Sequence, residues 1–182
     1  NGEADILLGT QMIAKGLDFP NVTLVGVISA DLSLNLPDFR ASERTFQLIT
    51  QVAGRAGRDK KLGKVLVQTY TPEHYSLQFA KNYDYEGFYK DEIKIREFMS
   101  DPPFSKIILI NLSSEKEELL INRANEVAIQ LKGEYKSNEF SILGPSPCII
   151  SKIKSMYRWQ IIVKGNIDNE TAHNIKNRVY AL

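Results

Sequence analysis

The residues from Val22 to Ser29, Val-Thr-Leu-Val-Gly-Val-Ile-Ser, are apolar almost without interruption. A run of this length and character fits a β-strand covered on both faces, as in a parallel sheet. Ile6 to Leu8 reads as a shorter buried strand before it, and Val65-Leu66-Val67 as another after it. Between the last two, Ser42 is placed to cap a helix whose Phe46, Ile49, Val52 and Ala53 share one face. That helix runs out at Gly54 or Gly57. Strand and helix in alternation indicate an α/β layered unit.

A second unit follows Tyr83. Phe88, Glu92, Ile95 and Met99 fall at helical spacing, and Asp101-Pro102-Pro103 ends that helix. Ile107 to Leu112 reads as a strand. Ser114 with Glu117 makes a capping-box signal, and Leu120, Ala124, Val127, Ala128 and Leu131 form an apolar stripe before Gly133. Tyr157, Trp159, Ile161 and Val163 alternate with Arg158, Gln160, Ile162 and Lys164, predicting a strand with one apolar and one largely polar face. Asp168 is placed to cap a last helix carrying Ala172, Ile175 and Val179. The order helix, strand, helix, strand, helix predicts a small α+β domain, with the boundary between residues 80 and 104 carried by a helical connector.

Composition closes off other classes. With 43% hydrophobic and 25% charged residues in 182, the chain has the balance of a globular protein rather than of a disordered one. No apolar run reaches the roughly 18 residues of a membrane span, and no signal-peptide pattern precedes Ile6. A single cysteine, Cys148, makes no internal disulfide or cysteine-cluster metal site, which suits a reducing cytosol. It is expected to pack as a small apolar residue. His74 and His173 have no ligand spacing. The opening at Asn1 gives the expectation of an internal start.

The chemistry concentrates in Gln51-Val52-Ala53-Gly54-Arg55-Ala56-Gly57-Arg58. Two arginines three apart, each preceded by glycine, occupy one face at the end of a helix, and the glycines leave room for close approach. Guanidinium groups hold phosphate oxygens in fixed geometry and keep their charge, so they suit charge developing on a transferring phosphoryl group. Upstream, Gly9 to Pro20 forms a glycine-containing loop after a strand, where ligands gather in α/β sheets. There Thr10 and Gln11 can hydrogen-bond a phosphate backbone, Gly16 frees the chain for a tight approach, and Asp18 can position an arginine or a nucleotide hydroxyl. No Walker phosphate loop, G-x-x-x-x-G-K-[ST], occurs in the chain.

Together these stretches resemble motifs V and VI of superfamily-2 helicases, which lie in the second RecA-like lobe. The combination of Gly9 to Gly16, Asp38 to Arg44 and Gln51 to Arg58 is similar to the primosomal replication-restart helicases of bacteria. Thr71-Pro72-Glu73-His74, Asp101-Pro102-Pro103-Phe104, Leu143-Gly144-Pro145 and Tyr157-Arg158-Trp159-Gln160 continue the resemblance over nearly the whole chain. It implies an α/β fold in which residues 1–82 are the latter part of the second lobe, 83–103 a helical connector and 104–182 a C-terminal α+β domain. It also implies a DNA-dependent ATPase that unwinds 3′→5′ and reloads the replication machinery at stalled or branched forks. Its partners would be branched and single-stranded DNA, single-strand-binding protein and other primosome proteins, and its setting the bacterial cytoplasm and nucleoid. By family role Arg58 is the arginine finger and Arg55 a second γ-phosphate contact, with Gln51 and Gly54 beside the same phosphates. Thr10 and Gln11 face the DNA backbone, and Gly16 with Asp18 couples that contact to the nucleotide. ATP and Mg²⁺ belong to the parent protein, as does zinc, bound outside this sequence. The Walker motifs that hold ATP are absent here, so this chain alone is expected not to hydrolyse it. A DNA- or single-strand-binding-protein-docking module without motor activity is the alternative reading.

In the second half, Lys152, Lys154, Arg158 and Lys164 occur without an acidic residue among them, interleaved with Met156, Tyr157 and Trp159. Basic and aromatic residues together suit single-stranded nucleic acid. Strand alternation sends Trp159 to the core and leaves the basic face, with Lys152, Lys154 and Arg158, to meet phosphate. A second cluster, Arg55, Arg58, Lys60, Lys61 and Lys64, offers charge for an acidic peptide tail. An open edge of the parallel sheet gives the expectation of self-association.

Overall fold

In the computed structural model the described residues are 5–10, 22–54, 63–135 and 139–181. They form two compact units, Asn1–Lys94 and Ile95–Leu182.

The first unit is built on a parallel pair, β1 (Leu24–Val27) and β2 (Lys64–Val67), in register Leu24 to Lys64 through Val27 to Val67. A short helical turn, α1 (Asp31–Leu34), and the longer α2 (Ala41–Ala53) follow β1, and α3 (Tyr75–Lys81) and α4 (Tyr85–Phe98) follow β2. The apolar core gathers Ala30, Phe46, Ile49, Leu77, Ala80 and Phe88, with Val67 against it. Phe46 of α2 stacks on Phe88 of α4 at 4.4 Å between ring centroids, and Tyr75 of α3 stacks on the same Phe88 at 5.9 Å. Offset ring stacking of this kind adds to the area buried, so one aromatic column ties three helices together.

Three expectations are corrected here. Ile6–Leu8 forms no strand and is exposed, because an apolar tripeptide without a paired neighbour has neither ladder nor covering layer. The β1–β2 pair is covered on one face only among the described residues: Val25, Val27, Val65 and Val67 are half-buried, while Leu24 and Leu66 are exposed. The near-continuous apolar run of β1 therefore signals two apolar faces but not two covered ones. Ser42 also lies inside α2, not at its cap. The N-cap position is Arg40, without a side-chain cap, and the Asp38 carboxylate accepts the Arg40 amide at 3.0 Å.

The stripe expected along α4 divides in two. Phe88 and Glu92 are buried, but Ile95 and Met99 are exposed. Buried Glu92 accepts the Tyr75 hydroxyl at 2.5 Å. His74 caps α3, its Nδ1 accepting the Ser76 amide at 3.3 Å. Burial pulls the His74 pKa below its ordinary 6.5, against a smaller upward pull from the Glu92 charge. A depressed histidine pKa means that the unfolded chain takes up the proton first, so the contribution is complete above pH 6.5 and is lost as pH falls below it. Urea midpoints should decline between pH 7 and 5, and His74→Asn, which caps without titrating, should flatten that part of the profile. An unchanged slope in the variant would place the titration elsewhere.

The second unit is a two-layer α+β sandwich. Its strands are β3 (Lys106–Ser114), β4 (Phe140–Ile153) and β5 (Met156–Gly165), antiparallel in the order β3-β5-β4. Helices α5 (Glu117–Glu134) and α6 (Asn169–Ala181) cover one face. Ile110, Val127, Ala128, Leu131, Ile161, Val163, Ile167 and Ile175 make the core, with Ala172 and Val179 packed against it. All five residues of the α5 stripe are buried, as their 3.6-residue period requires. The Asp168 side chain accepts the Thr171 amide at 2.7 Å and caps α6 as expected. The capping box does not form: α5 starts at Glu117 without a side-chain cap, and the Ser114 hydroxyl accepts the Lys116 amide at 3.1 Å.

The strand order also differs from helix, strand, helix, strand, helix, because β4 was hidden by Gly144-Pro145-Ser146-Pro147. Proline is tolerated on an edge strand, and β4 is an edge. Gly144 sits at φ +98°, and a Cβ there would lie 2.9 Å from the Gln160 carbonyl oxygen, so glycine is required where the ladder shifts register between Leu143 and Ser146.

Candidate functional site

The last turn of α2 and its cap carry the start of the arginine motif, Gln51 to Gly54. The first turn of the helix is fastened by Asp38, which receives Arg40 at 3.2 Å and Arg44 at 2.8 Å. Despite burial, which pushes it up, these hydrogen bonds and charges hold the Asp38 carboxyl below its ordinary 3.8. Phe46 and Ile49 anchor the middle of the helix. Gln51 is exposed on the last turn, and the Gly54 amide closes the helix on the Thr50 carbonyl at 3.1 Å. Arg55 and Arg58 lie outside the described residues, as do Gln11, Gly16 and Asp18. Thr10 is exposed in an irregular segment. Gln51 and Gly54 are thus brought together on one helix end.

A carboxylate that sequence reasoning missed braces the same unit. Asp31, buried at the start of α1, accepts the Thr69 hydroxyl at 3.0 Å, the Tyr70 amide at 3.2 Å and the Thr71 hydroxyl at 3.3 Å. Burial raises its pKa, but the Thr69, Tyr70 and Thr71 hydrogen bonds together lower it below 3.8. The bonds span 38 to 40 residues, so no local pattern announces them. They tie the segment after β2 to the segment after β1, the carboxyl ends of the two parallel strands.

The basic residues of the second unit separate into two kinds. Lys152 and Lys154 are exposed on the β4–β5 hairpin, whose turn residues Lys154 and Ser155 have φ +48° and +66°. Both central residues at positive φ is the pattern of a primed two-residue hairpin turn. The Lys152 ammonium lies 4.1 Å from the Tyr157 ring centroid, within cation–π range. Arg158 is half-buried and donates to the Ile150 carbonyl at 3.4 Å. Lys164 is corrected out of the basic face: it pairs with Asp101 at 2.6 Å and donates to the Met99 carbonyl at 2.7 Å, largely out of water. Trp159 is likewise corrected. It is half-buried beside Leu112 and Pro147 in register and stands outside the core cluster, which is filled from Ile161 onward. Cys148 is buried as expected, its thiol 3.6 Å from the Asn111 side-chain oxygen.

Among the described residues no cluster of His, Cys, Asp and Glu is placed to hold a metal ion. No helix among them is long and apolar enough to cross a membrane.

Residues 1–60, which hold β1, α1, α2 and the sequence of the arginine motif, match the family described as Helicase conserved C-terminal domain, which makes this unit a helicase lobe. Residues 99–181 match Primosomal protein N C-terminal domain. The chain belongs to the family of the replication restart protein PriA, to whose C-terminal part it corresponds. It is 54% identical to Replication restart protein PriA of Bacillus subtilis over 96% of its length, 45% identical to that of Synechocystis sp. over 90%, and 43% identical to that of Borreliella burgdorferi over 89%. It spans 22%, 20% and 24% of those relatives.

Proposed function

We propose that this sequence is the working C-terminal part of an ATP-dependent 3′→5′ DNA helicase that recognises branched forks and reloads the replisome. Arg58 acts as the arginine finger and Arg55 as a second γ-phosphate contact, with Gln51 and Gly54 beside the nucleotide. Gly16 and Asp18 couple that site to DNA held by Thr10 and Gln11, and Mg²⁺ with ATP completes it in the parent protein. Zinc belongs to the parent outside this sequence. Single-strand-binding protein and other primosome proteins are its partners, in the cytoplasm at the nucleoid. Self-association runs through the edges of the β1–β2 pair, which are unpaired among the described residues, and a mass above the monomer's in light scattering would register it.

The observation that carries the DNA reading is the acid-free β4–β5 hairpin, which exposes Lys152 and Lys154 to solvent. Ammonium groups on such a tip neutralise phosphates and release counterions. Anisotropy titrations of a labelled fork should weaken with salt at a log–log slope of roughly 2–3, for three or four phosphates on single-stranded arms. Lys152→Ala with Lys154→Ala should lower that slope by roughly 1.4. Arg158→Ala should act less directly, since its guanidinium is engaged with Ile150. An unchanged slope in the double variant would remove the hairpin from the DNA contact.

A further inference from the structure

The β4–β5 ladder is interrupted near its turn. Pro147 faces Trp159 and Lys152 faces Tyr157, so the four residues Cys148, Ile149, Ile150 and Ser151 stand opposite the single Arg158. Bulges of this kind re-aim side chains at sheet edges. This one is fastened from both strands: Cys148 is buried against Asn111, and Arg158 holds the Ile150 carbonyl. Within the bulge Ile149 is 64% and Ile150 59% exposed, and Ile153, paired with Met156 beside the turn, is 41% exposed. Lys152 and Lys154 flank Ile153, and no acidic residue occurs from Phe140 to Ile167.

Phosphate contact explains the lysines but not three isoleucines held in water beside them. An occupant that meets both must present anionic charge next to an apolar face. The end of a DNA duplex does so, with phosphates at the rim and the flat face of the last base pair at the centre. Isoleucine suits such a face because its branched side chain is stiff and loses little freedom on insertion. Apolar wedges of this type unstack base steps in other DNA complexes.

We propose that the Ile149–Ile153 segment is an apolar wedge that seats against the terminal base pair at a single-strand to duplex junction, with Lys152 and Lys154 holding the flanking phosphates. This rests on the DNA-binding reading above. The wedge reads the discontinuity of a branched substrate, where a base face is open, rather than its sequence.

The test uses the chain with a fork carrying 2-aminopurine at the first paired position, whose fluorescence rises when the base unstacks. Saturation should raise emission about twofold or more, and the rise should be absent when the probe lies ten pairs inside the duplex. Ile149→Ser/Ile150→Ser/Ile153→Ser should lose the rise while keeping the salt slope, since the lysines remain. Because these side chains are already exposed, the thermal transition followed by Trp159 emission should be unchanged. Ile150→Ser alone, which perturbs least, should lose part of the rise. Four results overturn the wedge. Binding with a full rise in the triple variant removes the isoleucines from the junction. Co-flotation with anionic phosphatidylglycerol vesicles, without a 2-aminopurine response, assigns the isoleucines to a lipid surface. Absence of any anisotropy change with the unaltered chain overturns the DNA reading itself, and the wedge with it, whereas binding without a rise overturns the wedge alone.

Discussion

Arg58→Ala, in a chain of the relatives' full length that contains this sequence, is expected to lower ATP turnover by roughly 10³–10⁵, the range over which an arginine finger acts. The reason is geometric. In phosphoryl transfer the protein does little covalent chemistry, and charge spread over the equatorial oxygens is met by fixed donors. Arg58→Lys should recover little, because an ammonium keeps the charge but not the planar fork. Gly54→Ala separates packing from chemistry: a Cβ there would lie 3.6 Å from the Thr50 carbonyl oxygen, at an ordinary helical φ of −66°. Stability should then stay within about 0.5 kcal/mol, and any loss of turnover reports the close approach of phosphate. The present chain alone should release no phosphate above background, since it carries no Walker motif. Steady hydrolysis by a clean preparation, or full turnover in Arg58→Ala, would refute the assignment.

Leu131→Ala should destabilise the second unit by roughly 3 kcal/mol, within the range for buried leucines that leave a cavity. Leu131 has no solvent exposure and sits among Val127, Ala128, Ile161 and Val163. In a unit of this size such a loss lowers Tm by more than about 10 °C. Trp159, the single tryptophan of the chain, lies in the same unit and reports its unfolding directly. Ile129→Ala on the same helix, at an exposed position, should shift Tm by little. Equal shifts for the two would mean that the stripe does not carry the packing.

What was legible in the sequence was what repeats over short distances. The α5 stripe, the α6 cap at Asp168 and the alternation of β5 each follow from a period or a local hydrogen bond. What was not legible depends on partners distant in the chain. Ile6–Leu8 reads as buried because apolar character is local, whereas the strand that would pair with it is not. Lys164 reads as a free cation on a polar face until Asp101, 63 residues earlier, is brought against it. Asp31 carries no signal at all, since its three donors arrive from beyond β2. Proline concealed β4 because the same residue that breaks an interior strand is admissible on an edge. Of the candidate site, the doubled glycine–arginine spacing and the family resemblance mark the arginine motif in the sequence, while Arg55 and Arg58 themselves lie outside the described residues. The Arg158 bond to Ile150 was not, because a bulge four residues wide has no sequence marker.

Pro145 and Pro147 in β4 set a direction for sheet growth. A strand arriving from a second molecule needs amide donors along the border it joins, and each proline withholds one. On the β4 side an added strand finds no amide donor at Pro145 or Pro147. The border at β3 has no proline from Lys106 to Ser114, so none of its outward-pointing amides is withheld. A strand that extends this sheet is expected to join along β3 sooner than along the proline-bearing stretch of β4.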